Sequence, residues 1–257
     1  MNNITSLTYT DRIIAFIDIL GFKQLIKDSI NGSKLDADNS FNKLLNLYDS
    51  IEKHLTKQLE EIIEDIEITR FSDCIVISVP ANNKDCLFEL CISLLHFQFE
   101  IFNRHKILMR GGVTQGKLVH TNKLLFGPAM NRAYQLESQL SIYPRIIIDP
   151  IVIENRKKLL TQLTEENDQY DIRNELNILL AKDKTSMLKR DSDNFYYIDY
   201  INGMYHELDE PEEMFELYLN NLNNCVISNI GDEKISHKFG WLKQKISFGL
   251  KHYSGKK

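Results

Sequence analysis

Arg12-Ile13-Ile14-Ala15-Phe16-Ile17-Asp18-Ile19-Leu20-Gly21-Phe22 decides how the chain is read. The run is apolar and β-prone, holds a single carboxylate, and passes at once into a glycine turn. A carboxylate inside a buried strand is costly unless something pairs with it. A second Asp stands in the same situation in Ile68-Thr69-Arg70-Phe71-Ser72-Asp73-Cys74-Ile75-Val76-Ile77-Ser78. Two lone carboxylates on two apolar strands point to a shared divalent cation. Mg²⁺ and Mn²⁺ take hard oxygen ligands, commonly one or two carboxylates completed by substrate phosphates. Two ions so held activate a hydroxyl for in-line attack on a phosphoryl group. Gly21-Phe22 opens a helix whose first amides suit a phosphate. A buried Asp that merely caps a turn explains either residue taken alone, so the pair and its order carry the reading.

Composition narrows the class. The 257 residues, 43% hydrophobic and 26% charged, describe an ordinary globular chain of one large domain or a domain with an appendage. A formal charge of −5 gives no global case for nucleic-acid binding. The N-terminus lacks the basic-then-apolar layout of a signal peptide, and no apolar run approaches a membrane span. The four cysteines form no Cys-x-x-Cys pair and read as reduced thiols. A cytoplasmic protein without nucleic-acid or membrane partners is the expectation. The seven histidines show no zinc spacing, and no Gly-x-x-x-x-Gly-Lys loop is present. After Glu233 the chain carries seven lysines and no acid, read as a solvated helical face with Trp241 as an anchor.

Periodicity predicts strands at 11–20, 66–79, 109–119, 124–126, 144–149 and 194–201. Helices are predicted at 22–30, 38–64, 84–104 and 128–140, with mostly helical stretches at 151–188 and from about 211 to 253. This order suits an α+β sheet with helices packed on one face. The domain reading is 1–205 for the main domain, with 151–190 as a helical insertion, and 206–257 as a helical C-terminal extension.

Taken in order, four elements resemble the class III nucleotidyl cyclases. Phe16-Ile17-Asp18-Ile19-Leu20-Gly21-Phe22 is similar to the family's first-strand motif, and Ser72-Asp73 stands where its central hairpin has Gly-Asp. Met109-Arg110-Gly111-Gly112-Val113-Thr114-Gln115-Gly116 and Phe126-Gly127-Pro128-Ala129-Met130-Asn131-Arg132-Ala133 match the two following elements. The resemblance implies a ferredoxin-like βαββαβ sheet and two Mn²⁺ or Mg²⁺ ions held by Asp18 and Asp73, with the Ile19 carbonyl as an additional metal ligand. It implies Arg110 on the triphosphate, Asn131 on the ribose, and a homodimer with shared active sites. The implied chemistry is attack of a ribose 3′-hydroxyl on the α-phosphate, giving a 3′,5′-cyclic nucleotide and pyrophosphate. Gly21, Phe22, Thr69, Gln135, Arg145 and Arg190 complete the substrate-binding candidates.

The departures point further. The family's transition-state arginine falls at Gln135, so another cation must serve; Arg132, Arg145, Lys189 and Arg190 are the candidates. The purine-reading positions hold Thr69 and Leu124. On a strand, Thr69, Phe71 and Asp73 share a face while Arg70 points away. Together with Phe-Ser-Asp, Gly-Pro-Ala, Ala133-Tyr134-Gln135-Leu136-Glu137, Tyr143-Pro144-Arg145-Ile146 and Gly240-Trp241-Leu242, this is most similar to the pyrimidine cyclases of bacterial Pycsar antiphage systems. That likeness implies a uridylate cyclase (a lyase) making cyclic UMP for a cyclic-nucleotide-activated effector in antiviral defence. A cytidylate cyclase is the alternative, then an adenylate or guanylate cyclase, then a degenerate nucleotide-binding module.

Overall fold

The computed structural model describes residues 7–31, 34–162, 166–180, 186–206, 208, 211–229 and 236–253. The first strand, β1 (Thr10–Ile19), sits in the middle of the sheet because its apolar run is buried on both faces. It pairs antiparallel with β3 (Cys74–Pro80) on one side and β4 (Met109–His120) on the other. The path is completed by β2 (Glu67–Phe71), β6 (Ile146–Ile148), β7 (Leu188–Arg190) and β8 (Tyr196–Ile198), in the order β2-β3-β1-β4-β6-β8-β7. The short strand β5 (Leu125–Phe126) pairs with β4 off this path. One pair, β4 with β6, is parallel and the rest are antiparallel. This is the α+β class the periodicity predicts, but helices lie on both faces rather than one, because β1 is apolar on both.

Alternation along β1 divides the interior. Ile13, Ala15, Ile17 and Ile19 enter the large core, while Ile14 and Phe16 enter a small one with Val76, Leu118, Ala129 and Ala133. The large core receives α2 (Lys34–Ile51), which runs on through a π-helical turn (Glu52–Thr56) into α3 (Lys57–Ile62). It also receives α4 (Cys86–His105), whose Leu87, Leu90, Cys91, Leu94, Phe97, Ile101 and Phe102 are buried. Among the described residues α4 alone is long and apolar enough to cross a membrane, and here it is the central core helix. The small core lies under one helix, α5 (Pro128–Gln135), continued by a π-helical turn (Leu136–Leu140).

Two predicted elements differ. The stretch 66–79, read as one strand, is a hairpin, β2 turning into β3 through Ser72-Asp73 with Phe71 opposite Cys74. Ser72-Asp73 holds neither the glycine nor the proline that marks a turn most strongly, which hides it from periodicity. Ser72 makes the turn with φ of 54°, and the Tyr48 hydroxyl donates to its carbonyl at 2.8 Å. Within 151–190, α6 (Pro150–Gln162) and α7 (Glu166–Leu180) are helical as predicted, but Leu188–Arg190 forms β7. Three residues are too few for a period-2 signal to show.

After β8 come α8 (Pro211–Asn229) and α9 (Ser236–Tyr253), the expected C-terminal helical extension. Trp241 on α9 is an anchor onto the domain. Its ring stacks on Tyr143 at 5.5 Å and its indole N–H donates to Asp191 Oδ2 at 2.5 Å.

The glycine at 112 sets how closely α5 approaches β4. A Cβ there would lie 2.3 Å from the Leu136 Cβ and 3.2 Å from the Ala133 carbonyl oxygen. Gly112→Ala is expected to lower stability by about 1–3 kcal/mol, the usual cost of overpacking, measured by urea unfolding. Gly116→Ala, whose nearest neighbour would be 3.6 Å away, is the control and is expected to cost less.

Candidate active site

Asp18 closes β1 opposite Cys74 on one side and Arg110 on the other. Asp73 enters from the hairpin loop, and its backbone carbonyl accepts from the Ile19 N–H at 2.9 Å. That bond ties the loop to the end of β1, and the ligand atoms of Asp18, Asp73 and Cys74 lie within 4.8 Å of one another. The metal expectation thus has a geometric basis, with one change: Asp18 comes from β1, but Asp73 comes from the β2–β3 turn and not from a strand, and the two carboxylates converge there.

Partners shape the electrostatics. Arg110 Nε donates to Asp18 Oδ2 at 3.1 Å, and its Nη2 lies 2.6 Å from Glu137 Oε1. Burial nonetheless holds the Asp18 carboxyl above its usual range, with Asp73 adding like-charge repulsion and Arg110 and Lys238 opposing. The Glu137 carboxyl is also raised, again mainly by burial. The Cys74 thiol is pushed up to about 12 by burial and the surrounding carboxylates, so it remains protonated. A protonated thiol is a poor partner for a hard cation, which leaves a two-carboxylate oxygen set. That set fits Mg²⁺ or Mn²⁺, which use one or two protein carboxylates and complete their shell with water and phosphate.

Gly21 follows, with φ of 81°, and caps α1 (Phe22–Ile30). Nothing lies within 4 Å of where its Cβ would be, so the backbone conformation rather than space requires glycine. As at any helix start, the first N–H groups lack intrahelical acceptors and point outward. Phe22 is buried, edge-on to Tyr48 at 6.3 Å.

The other sequence candidates fall into three places. Asn131 and Gln135 are exposed on α5, beside the exposed ring of Tyr134. The Gln135 Oε1 accepts from Arg132 at 2.9 Å, while Arg132 also forms a two-bond pair with Asp149 at 2.7 and 3.2 Å. Thr69 lies on β2 and bonds His120 at 2.9 Å. Arg145 is wholly buried, paired with Asp191 and Asp193 and walled by Tyr143, Tyr197 and Trp241. That network belongs to the docking of α9, and no contact joins it to Asp18 or Asp73 among the described residues. Arg190 ends β7, its guanidinium 6.0 Å from the Tyr196 ring. Lys189 donates to Ser186 Oγ at 2.8 Å.

Two residues of the site were missed in the sequence. Glu137 looks like an ordinary helix-surface acid, but it follows buried Ala133 by four residues, so it lies on the inward face and meets Arg110. Lys238 acts on both Asp18 and Glu137 across a sequence separation that no local pattern bridges. It lies three residues before Trp241, on the same face of α9, and that spacing was the available signal.

No protein-family model matches the chain, and no curated protein matches it. Solved structures do. A bacterial light-regulated adenylyl cyclase aligns over 59% of this chain and 47% of its own, at 19% identity and a TM-score of 0.43. The adenylyl cyclase CyaB from P. aeruginosa aligns over 59% and 82%, at 16% identity and a TM-score of 0.39. The catalytic core of a rhodopsin-guanylyl cyclase with converted specificity, in complex with ATPalphaS, aligns over 74% and 96%, at 17% and 0.42. The chain spans about half the length of the light-regulated cyclase.

Mn²⁺ at a hundredfold excess over its Kd is expected to stabilise the protein by about 2.7 kcal/mol in thermal unfolding. Asp73→Asn should abolish that increment while leaving a folded protein. The increment should also fade as pH drops through the raised Asp18 pKa, because a protonated carboxyl does not ligate. Without metal the sign reverses. A carboxyl raised by folding favours stability below its unfolded value and loses that contribution as pH rises through its folded value. Asp18→Asn should therefore raise the metal-free Tm at neutral pH.

Proposed function

We propose that the chain is a metal-dependent nucleotidyl cyclase of the class III type, acting on a pyrimidine nucleoside triphosphate. UTP is the first substrate and CTP the second. The observation that carries this reading is the convergence of Asp18 and Asp73 beside Arg110, at the mouth of a glycine-capped helix. Such a site pairs an anion-binding helix start and a guanidinium with an oxygen set for divalent ions.

In this reading Asp18 and Asp73, with the Ile19 carbonyl, hold two Mn²⁺ or Mg²⁺ ions. When bound, these ions neutralise phosphate charge and lower the pKa of the attacking hydroxyl. Arg110, oriented from both sides by Asp18 and Glu137, binds triphosphate oxygens and opposes the charge that builds on the leaving pyrophosphate. The first amides of α1 take a second phosphate. The ribose 3′-oxygen forms its bond to the α-phosphorus as the bond to the bridging oxygen breaks, and the hydroxyl proton leaves through the carboxylate pair to water. Asn131 orients the ribose from the α5 of a second copy, so the working unit is a homodimer. The exposed rings of Phe71 and Tyr134, both beside Phe16, support a partner on the α5 side of the sheet. Cyclic UMP then acts as a second messenger for an effector in antiphage defence, which the short likenesses to Pycsar cyclases support.

A second reading, a nucleotide-binding module without turnover, is favoured by one observation. Gln135 replaces an arginine, and its helix neighbour Arg132 is committed to Asp149.

Incubation with the four nucleoside triphosphates and Mn²⁺, followed by mass spectrometry, is expected to yield cyclic UMP and equimolar pyrophosphate. Asp73→Asn should lower the rate by at least about a hundredfold to a thousandfold. Cyclic AMP or cyclic GMP as the main product would overturn the pyrimidine assignment. Nucleotide binding without any cyclic product would favour the second reading.

A further inference from the structure

The C-terminal helix α9 reaches the candidate site through one short segment of chain, residues 136–145. Two bonds tie that segment into a unit: the Ser141 N–H donates to the Leu136 carbonyl at 2.7 Å, and the Ser141 hydroxyl donates to the Arg145 carbonyl at 2.6 Å. One end carries Glu137, which pairs with Arg110. The other end joins β4, where the N–H of Gly111, the residue after Arg110, donates to the Arg145 carbonyl at 3.1 Å. Onto this unit α9 docks. Trp241 stacks on Tyr143 at 5.5 Å, its indole N–H donates to Asp191, and Lys245 lies 3.3 Å from the same carboxylate. Asp191 in turn pairs with the buried Arg145. The helix is therefore held against the segment that carries Glu137, with its rotation set by an anchored tryptophan.

That docking brings up a cation with no close commitment. Arg110 is shared between Asp18 and Glu137, Arg132 is paired with Asp149, Arg145 with Asp191 and Asp193, and Lys245 with Asp191. Lys238, three residues before Trp241 on α9, is half-buried and in no close ion pair among the described residues. Its charge nonetheless reaches Asp18 and Glu137, where it works against the burial of both carboxyls. A lysine at that range, a point charge on a flexible stem, can serve an incoming group without first breaking a pair. The sign of its effect differs between the two kinds of ligand. A bare divalent cation entering at Asp18 and Asp73 meets a like charge, whereas a triphosphate carrying its metal remains anionic and meets an opposite one. Before either arrives, the ammonium supplies part of the positive charge that Asp18, Asp73 and Glu137 lack.

We infer that Lys238, held in place by the docking of α9, is a placeholder charge: it disfavours divalent ions alone at Asp18 and Asp73 and favours their complex with a triphosphate, so that ions and nucleotide enter together. The inference rests on the metal reading above and adds to it the order in which the site fills.

The test compares the full-length protein with Lys238→Gln, and with Lys238→Arg as the variant that keeps the charge. Mn²⁺ alone is titrated by the paramagnetic resonance of the free ion, and the Mn²⁺ complex of inorganic triphosphate by calorimetry, which needs neither a base nor turnover. Lys238→Gln is expected to bind Mn²⁺ alone at least about threefold more tightly and the triphosphate complex at least about threefold more weakly, with Lys238→Arg close to the parent in both. Any result other than these two opposite shifts overturns the inference, and Mn²⁺ binding that survives leaves the metal site standing. Lack of Mn²⁺ binding in the parent, both alone and with triphosphate, removes the metal reading and this inference together. A second readout uses no metal. Lys238→Gln should lower the metal-free Tm, and by clearly less in an Asp18→Asn background, because the lysine then has one acid fewer to serve. An equal loss in both backgrounds contradicts the coupling on which the inference stands.

Discussion

The structure turns on a carboxylate that its fold does not fully compensate. Asp18 lies one residue before the end of the buried strand β1, and burial raises its pKa more than Arg110 lowers it. The neighbouring acids add to this, since Asp18 and Glu137 share the Arg110 guanidinium and Asp73 repels both, with Lys238 offsetting part of the crowding. Such a cluster is destabilising without further positive charge. Chains keep such clusters where a ligand supplies the missing charge, and a two-carboxylate oxygen set is of the kind that suits a hard divalent cation.

Everything around Asp18 follows from holding that position. Antiparallel pairing on both sides places Cys74 and Arg110 opposite it, and the Ile19–Asp73 backbone bond fixes the hairpin loop beside it. Glycine at 112 lets α5 settle close enough for the following turn to bring Glu137 onto Arg110. Farther along the chain, the buried Arg145 cluster pins α9 through Trp241, which brings Lys238 to act on the same carboxylates. The C-terminal extension is thus part of the site's electrostatics as well as a cover for the core.

How much of this was legible depended on how local the cause was. The strand carrying Asp18 and its glycine turn could be read directly, because an apolar run interrupted by one acid is a conflict visible in eleven letters. The meeting of the Asp18 and Asp73 carboxylates was foreshadowed in the same way. The hairpin between β2 and β3 was legible only through the family resemblance and not through periodicity, since Ser72 adopts a positive φ without the glycine that usually announces one. Glu137 and Lys238 were invisible because their partners come from distant elements. The Thr69 position could be placed on its face by alternation alone, but its bond to His120 could not, because strand pairing brings the two together. Periodicity reports which face a residue occupies; it does not report which neighbour it meets.

The central claim is that Asp18 and Asp73 form a divalent-metal site completed by a nucleotide. Electron paramagnetic resonance of free Mn²⁺ during titration of the protein, with and without a non-reactive UTP analogue, tests it most directly. The account predicts two ions bound per site when the analogue is present, and loss of that binding in Asp18→Asn and Asp73→Asn. Mn²⁺ binding that is absent, or unchanged in both variants, would contradict it.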